Sequence, residues 1–277
     1  MKIILAKILV LTVLLAAELR AGTVDTVQIP SRAMDTAFFC VVIKPADYER
    51  SKQCYPVVYL LHGYGGWYAN WLEREPALTD YADQYRVLIV CPEGGKNSWY
   101  LDSPVDSAIR FETYIATEVP DFIDAHYRTL PYRRGRAITG LSMGGHGALL
   151  IAFRHSSRFG ACGSMSGLMD LRATSQRYEL ALRLGDISRH ADNWKNYSVI
   201  SAVESHPHDS LAIIVDCGTD DPFFPLNRRW HEKMLSLKIP HDYVERPGKH
   251  DWTYWKNAVR YQLFYFADYF ERMGKMN

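Results

Sequence analysis

The chain has 277 residues, 48% hydrophobic and 23% charged, with a formal net charge of +1. Such a balance describes an ordinary globular protein with a sizeable core, and it argues against nucleic acid as a partner and implies no polyanionic substrate. Eighteen Tyr and seven Trp form an aromatic surplus, which can fill a core and also suits a pocket for sugar rings or aryl acyl groups.

Residues 1–21 read as a secretory signal peptide. Lys2 and Lys7 precede an apolar run from Ile8 to Ala17, broken only by Thr12, and polar residues follow at Glu18 and Arg20. The run is shorter than the roughly 18–20 residues a membrane span needs. Cleavage is expected after Ala21, with Ala17 as the second choice, and no cysteine stands there to carry a lipid. The alternative is a buried or anchoring N-terminal helix. Residues 22–277 are expected to form one exported domain, secreted or periplasmic, with no stable membrane insertion. Five cysteines, Cys40, Cys54, Cys91, Cys162 and Cys217, make no regular framework. A Cys40–Cys54 bridge is permitted by the compartment.

Thr23 to Ile29 and Asp35 to Lys44 read as strands of an antiparallel hairpin at a sheet edge. The apolar run Pro56 to Leu61 reads as a strand buried on both faces and leads into His62-Gly63-Tyr64-Gly65-Gly66. Ala77 to Tyr85 has a helical pattern, Arg86 to Cys91 is a further strand, and Asn97 to Pro104 is a polar-aromatic loop. Ser107 to Tyr127 has apolar residues at helical spacing, with Pro120 demanding a kink or a late start. Arg136 to Thr139 is a short strand before Gly140-Leu141-Ser142-Met143-Gly144, and a helix follows through Phe153. Phe159 to Met165 is the next strand. Leu168 to Pro207 reads as an insertion over the sheet's C-terminal edge, with helical pieces at Ser175 to Leu184 and Ala191 to Asn196. A strand at Leu211 to Asp216, a helix at Phe223 to Leu237, a strand at His241 to Arg246 and a helix at Asp251 to Met273 complete the chain. Alternating strands and helices mean an α/β fold, a mostly parallel sheet with helices on both faces, whose functional residues gather at the C-terminal ends of the strands.

The G-x-S-x-G stretch lies between a strand and a helix, the context of a nucleophile elbow. There Ser142 sits at a helix N-terminus, where free N–H groups favour developing negative charge. A serine hydroxyl needs a general base and a third group that orients the base. Of ten histidines, His250 alone lies in a loop after the last strand. Asp220 and Asp221 share the loop after Leu211 to Asp216, and residue chemistry by itself does not separate them. Two backbone donors are needed for the oxyanion; the N–H of Met143, just after Ser142, and that of Tyr64, in the His62-Gly63-Tyr64 turn, are expected to supply them. His62, Trp67, Trp71, Trp99 and Tyr100 are candidates to contact substrate. His206-Pro207-His208-Asp209 lacks the further ligands a metal site requires, so no metal and no cofactor are expected. Asn196-Tyr197-Ser198 is a glycosylation sequon where a host uses one.

These motifs, with Asn70-Trp71, Trp99-Tyr100, Asp102-Ser103, Glu118-Val119-Pro120, Cys217-Gly218-Thr219-Asp220-Asp221 and His250-Asp251-Trp252 in order, resemble an esterase branch of the α/β-hydrolases. The branch includes S-formylglutathione hydrolases of the esterase D type, tributyrin-type esterases, feruloyl esterases and mycolyltransferases. The resemblance runs from about Asp35 to the C-terminus. It implies an α/β-hydrolase fold, selects Asp221 as the acid and supports Tyr64 and Met143 as oxyanion donors. The expected function is a serine carboxylesterase acting through Ser142, His250 and Asp221 on a small-molecule or oligosaccharide ester, with acetyl or feruloyl groups on carbohydrate as the favoured substrates. Acyl transfer to a sugar hydroxyl, thioester hydrolysis and non-catalytic binding on a hydrolase scaffold are the alternatives.

Overall fold

The computed structural model describes residues 22–204 and 211–275. Residues 1–21, the segment read as a signal peptide, and His206, Pro207, His208 and Asp209 lie outside the described residues. Eight strands form one sheet: β1 (Thr23–Ser31), β2 (Thr36–Lys44), β3 (Val57–Leu61), β4 (Leu88–Pro92), β5 (Arg136–Gly140), β6 (Ala161–Met165), β7 (Ala212–Gly218) and β8 (Asp242–Arg246). Their spatial order is β1-β2-β4-β3-β5-β6-β7-β8. The first two make the expected antiparallel hairpin, with Thr23 opposite Lys44 and Ser31 opposite Thr36, and β2 runs antiparallel to β4. All remaining neighbours are parallel. The fold is α/β, as the alternation of apolar runs and helical patterns implies.

The helices are α1 (Asn70–Arg74), α2 (Leu78–Tyr85), α3 (Phe111–Thr113), α4 (Val119–His126), α5 (Met143–Arg154), α6 (Ala181–Leu184), α7 (Ala191–Asn196), α8 (Val199–Ala202), α9 (Phe224–Ser236) and α10 (Trp252–Gly274). Side chains alternate across a strand, and β3 divides its residues accordingly. Val57, Tyr59 and Leu61 enter the core layer shared with α4, α5 and α9, whereas Val58 and Leu60 enter the layer shared with α1, α2 and α10. One polar side chain crosses the second layer. Gln262 of α10 is fully buried, donates to Ser164 O at 2.9 Å and accepts the Thr139 hydroxyl, so its amide is paired on both sides. Those bonds fasten α10 to β5, which leads into Ser142, and to β6, whose last residue, Met165, accepts the Ser142 N–H.

Two helices differ from expectation. The pattern from Ser107 to Tyr127 becomes helical only at Phe111, where Asp102 accepts the Thr113 N–H at 3.0 Å and its hydroxyl at 2.6 Å. A π-helical turn over Tyr114–Glu118 then joins α3 to α4. Pro120 has no N–H to give to the preceding turn, and the carbonyls of Ala116 and Thr117 are taken up by Arg158 instead. In the insertion, Ser175 to Leu184 is helical only over α6. Tyr178 and Glu179 hold positive φ angles of 60° and 54°, which no helix accommodates.

Candidate active site

The strand β5 ends at Gly140 and α5 begins at Met143, leaving Ser142 in the sharp turn between them at φ 53° and ψ −115°. Its N–H is held by Met165 O at 2.9 Å. Only bare backbone fits on either side of it. A Cβ on Gly140 would stand 2.6 Å from Leu61 O, and one on Gly144 would stand 2.6 Å from both Leu61 O and His62 O. Both glycines therefore press against the end of β3, and that close approach keeps the turn tight.

His250 arrives from the loop after β8. Its Nε2 lies 2.9 Å from Ser142 Oγ, and its Nδ1 lies 2.8 Å from Asp221 Oδ2. A carboxylate can only accept, so Nδ1 carries the hydrogen and Nε2 is left to accept the serine proton. The two loops that hold His250 and Asp221 are joined by backbone bonds. Thr219 N donates to Arg246 O and Asp220 N to Gly248 O, each at 2.9 Å. With its amide so used, Asp220 stays exposed, whereas Asp221 turns inward, 3% exposed, and accepts the Phe223 N–H on Oδ1 at 2.7 Å. The imidazole stands between two rings, Phe223 at 4.8 Å and Trp255 at 4.9 Å between centroids, both edge-on. Among the described residues, neither the Tyr64 N–H nor the Met143 N–H has a protein acceptor. Both are left available near Ser142, since Gly63 packs on Leu141 and Ser142.

A family model described as "Putative esterase" matches residues 31–264. The chain belongs to this esterase family. An esterase of Mycobacterium tuberculosis is 29% identical over 236 residues, covering 76% of this chain and 51% of that protein. The chain thus spans about half the length of that relative. An acetyl esterase of Caldicellulosiruptor saccharolyticus is 28% identical over 246 residues, covering 84% of this chain and 87% of its own. Among solved structures, a ferulic acid esterase superposes with a TM-score of 0.77 at 30% identity, covering 90% of this chain and 99% of that one.

Of the side chains expected at the substrate, this esterase-family chain buries four. His62 is 1% exposed, its Nδ1 bonds Gly63 O at 2.8 Å and its Nε2 accepts the Gly94 N–H at 2.9 Å. Trp71 donates from Nε1 to Leu61 O at 2.9 Å, and the Tyr100 hydroxyl donates to His62 O at 2.9 Å. Trp99 donates to Tyr178 O at 3.2 Å. His62, Trp71 and Tyr100 brace the end of β3 and the turn that follows it, whereas Trp99 fastens the insertion at Tyr178. The physical reason is that the chain-end carbonyls of a central parallel strand need donors once buried. Trp67 alone of the five is exposed, three residues beyond Tyr64.

Three residues near His250 and the turn after β3 were not singled out from sequence. Phe223 packs on His250, Tyr178 packs on Phe223 and on Tyr64, and Glu179 accepts the Tyr64 hydroxyl at 2.7 Å. Phe223 was within reach, being two residues past the acid. Tyr178 and Glu179 carry no periodic or motif signal.

Two buried ionisable side chains flank this region, and the backbone N–H of one of them, His146, donates to Ser142 O at 3.0 Å. Burial pushes His146 of α5 down to about 4, and its Nε2 bonds Tyr197 O at 2.8 Å. Burial pushes Asp216 up to about 7 against the pull of Arg246, whose Nη2 is 2.8 Å away. Cys40 is buried and Cys54 exposed, both as free thiols, so no bridge joins them. Among the described residues no helix is long and apolar enough to cross a membrane, and no group of three or more His, Cys, Asp or Glu side chains is placed to hold a metal ion.

Proposed function

We propose that the protein is an exported serine carboxylesterase that cleaves acetyl or feruloyl esters of carbohydrate through an acyl-enzyme. The observation that carries this is the unbroken chain Ser142 Oγ, His250 Nε2, His250 Nδ1, Asp221 Oδ2, with links of 2.9 and 2.8 Å. Ser142 attacks the ester carbonyl as its proton passes to His250 Nε2. The carbonyl oxygen becomes an oxyanion that accepts the Tyr64 and Met143 N–H groups. Collapse expels the alcohol, which takes the proton from His250. Water, deprotonated by the same nitrogen, then attacks the acyl-serine and frees the acid and Ser142. Asp221 holds the imidazole in the tautomer both steps need and balances its transient charge.

Kinship with an acetyl esterase and a ferulic acid esterase supports the choice of acyl group. Export is supported by the N-terminal pattern of residues 1–21. The test is hydrolysis of p-nitrophenyl acetate, a feruloyl ester and acetylated xylan by wild type and Ser142→Ala. Wild-type turnover with at least ~1000-fold loss in Ser142→Ala is expected. Activity that survives in the variant would remove the acyl-enzyme, and failure on the feruloyl and xylan esters alone would remove the substrate assignment.

A further inference from the structure

Glu179 stands in the least regular part of the chain, yet its carboxylate reaches back to the oxyanion turn. A single oxygen, Oε2, accepts both the Tyr64 hydroxyl at 2.7 Å and the Asn97 side-chain amide at 2.8 Å. Asn97 is itself held by Arg183 of α6, whose Nη2 donates to its Oδ1 at 3.1 Å. The Gly65 N–H donates to Lys96 O at 2.8 Å. Three segments therefore meet at one carboxylate: the turn after β3, the loop after β4 and the insertion. The backbone there is strained, with Tyr178 and Glu179 in succession at φ 60° and 54°. Non-glycine residues keep such angles only where their surroundings impose them. Here Trp99 fixes the Tyr178 carbonyl, and the Tyr178 ring is wedged against Tyr64 and Phe223 at 5.6 and 6.2 Å between centroids. Glu179 is nonetheless solvent-exposed, and hydrogen-bonded charges at a surface contribute little to stability. A strained, doubly bonded surface carboxylate is better matched to placing a neighbour than to holding the fold.

We propose that Glu179 is a positioning residue for the Tyr64 amide. By holding the Tyr64 ring through its hydroxyl, it sets the turn that presents the Tyr64 N–H to the oxyanion, and so couples the insertion to the reacting centre. The inference rests on the reading of Ser142 as nucleophile and of Tyr64 N–H as an oxyanion donor. Charge on that oxygen develops only in the transition state, so a misplaced donor lowers kcat and leaves KM largely alone.

The test compares Tyr64→Phe, Glu179→Ala, Glu179→Gln and the Tyr64→Phe/Glu179→Ala double variant on p-nitrophenyl acetate, with Ser142→Ala as control. Tyr64→Phe and Glu179→Ala should each lower kcat by about tenfold, a fraction of the loss from removing a donor outright. KM and Tm should hold. The double variant should be no slower than the slower single, because Tyr64→Phe removes only the Tyr64–Glu179 bond that Glu179→Ala has already removed. Glu179→Gln should recover most of kcat, since its carbonyl oxygen can still accept the Tyr64 hydroxyl. Wild-type kcat in Glu179→Ala, or losses that multiply in the double variant, would overturn the inference while leaving the esterase reading intact. A fully active Ser142→Ala protein would overturn both.

Discussion

At Ser142 the backbone is held at φ 53°, a conformation L-residues avoid, and it persists because Met165 O takes its amide and two glycines let β3 close around it. The same economy of contacts decides which carboxylate reaches His250. Asp220 and Asp221 are neighbours with identical side chains, but the amide of Asp220 is spent on Gly248 O, which rotates the next carboxylate inward to His250. Asp221→Asn should therefore lower kcat by roughly 1000- to 10000-fold, because an amide in that place stabilises the wrong imidazole tautomer. Asp220→Asn, which leaves the backbone bond untouched, should stay within about twofold of wild type, as exposed substitutions generally do. Steady-state rates on p-nitrophenyl acetate distinguish the two, and equal losses would mean that the acid has been misassigned.

Among the elements, α10 bears most directly on His250. Asp251, the residue after His250, caps this helix by accepting the Tyr254 N–H at 3.0 Å. The helix is anchored again at its middle by Gln262 on β5 and β6. His250 thus hangs between a capped helix start and the zipped loop at Gly248. Removing the cap by Asp251→Ala should cost about 1 kcal/mol and lower Tm by roughly 2–4 °C for a chain of this size. Because the loosened turn adjoins the base, kcat should fall as well, and Asp251→Asn or Asp251→Ser, which can still cap, should restore both. Thermal melts beside rate measurements check this, and a lost rate with an unchanged Tm would point to a direct role for the carboxylate instead. The helix through Phe111–His126 illustrates the opposite case, where Pro120 removes a donor and a π turn with Arg158 on its free carbonyls absorbs the defect.

Across the whole molecule, the two apolar layers on either face of the sheet bury titratable groups whose proton affinities pull stability in opposite directions. His146 falls from 6.5 to about 4 in the folded state. Below pH 6.5 the unfolded chain binds a proton there that the folded chain refuses, so this group's contribution is lost as pH falls toward 4. Asp216 rises from 3.8 to about 7. Between those values the unfolded chain has released a proton that the folded chain keeps, so this group's contribution is lost as pH rises toward 7. The slopes oppose one another between pH 4 and 6.5. Urea unfolding of wild type and His146→Gln isolates the first, since Asp216 is common to both. From pH 7.5 to 4.5 the difference in unfolding free energy should shift against wild type by roughly 2–3 kcal/mol, on the order of the shift in proton affinity. A difference that does not change with pH would mean that His146 titrates alike in both states.

Much of this molecule could be read from local pattern. The buried runs at Val57–Leu61 and Ala212–Gly218, the glycine-flanked Ser142 turn and the order Ser142, an acid from the Asp220-Asp221 pair, then His250 follow from rules that act over a few residues: side-chain alternation, steric limits on the backbone and the loops that end parallel strands. The family resemblance, and not the residues alone, favoured Asp221 over Asp220. Other matters had to wait for tertiary structure, because they depend on which distant segments the sheet order brings side by side. His62, Trp71 and Tyr100 carry polar atoms that looked suited to a ligand, yet each is consumed by the backbone at or beside the end of β3. Glu179 lies 115 residues from Tyr64 in a stretch without periodicity, and no local rule could have paired them. Short-range sterics and alternation dictated the strands and the nucleophile's turn, whereas the packing of remote loops over the strand ends decided which side chains support the site and which reach it.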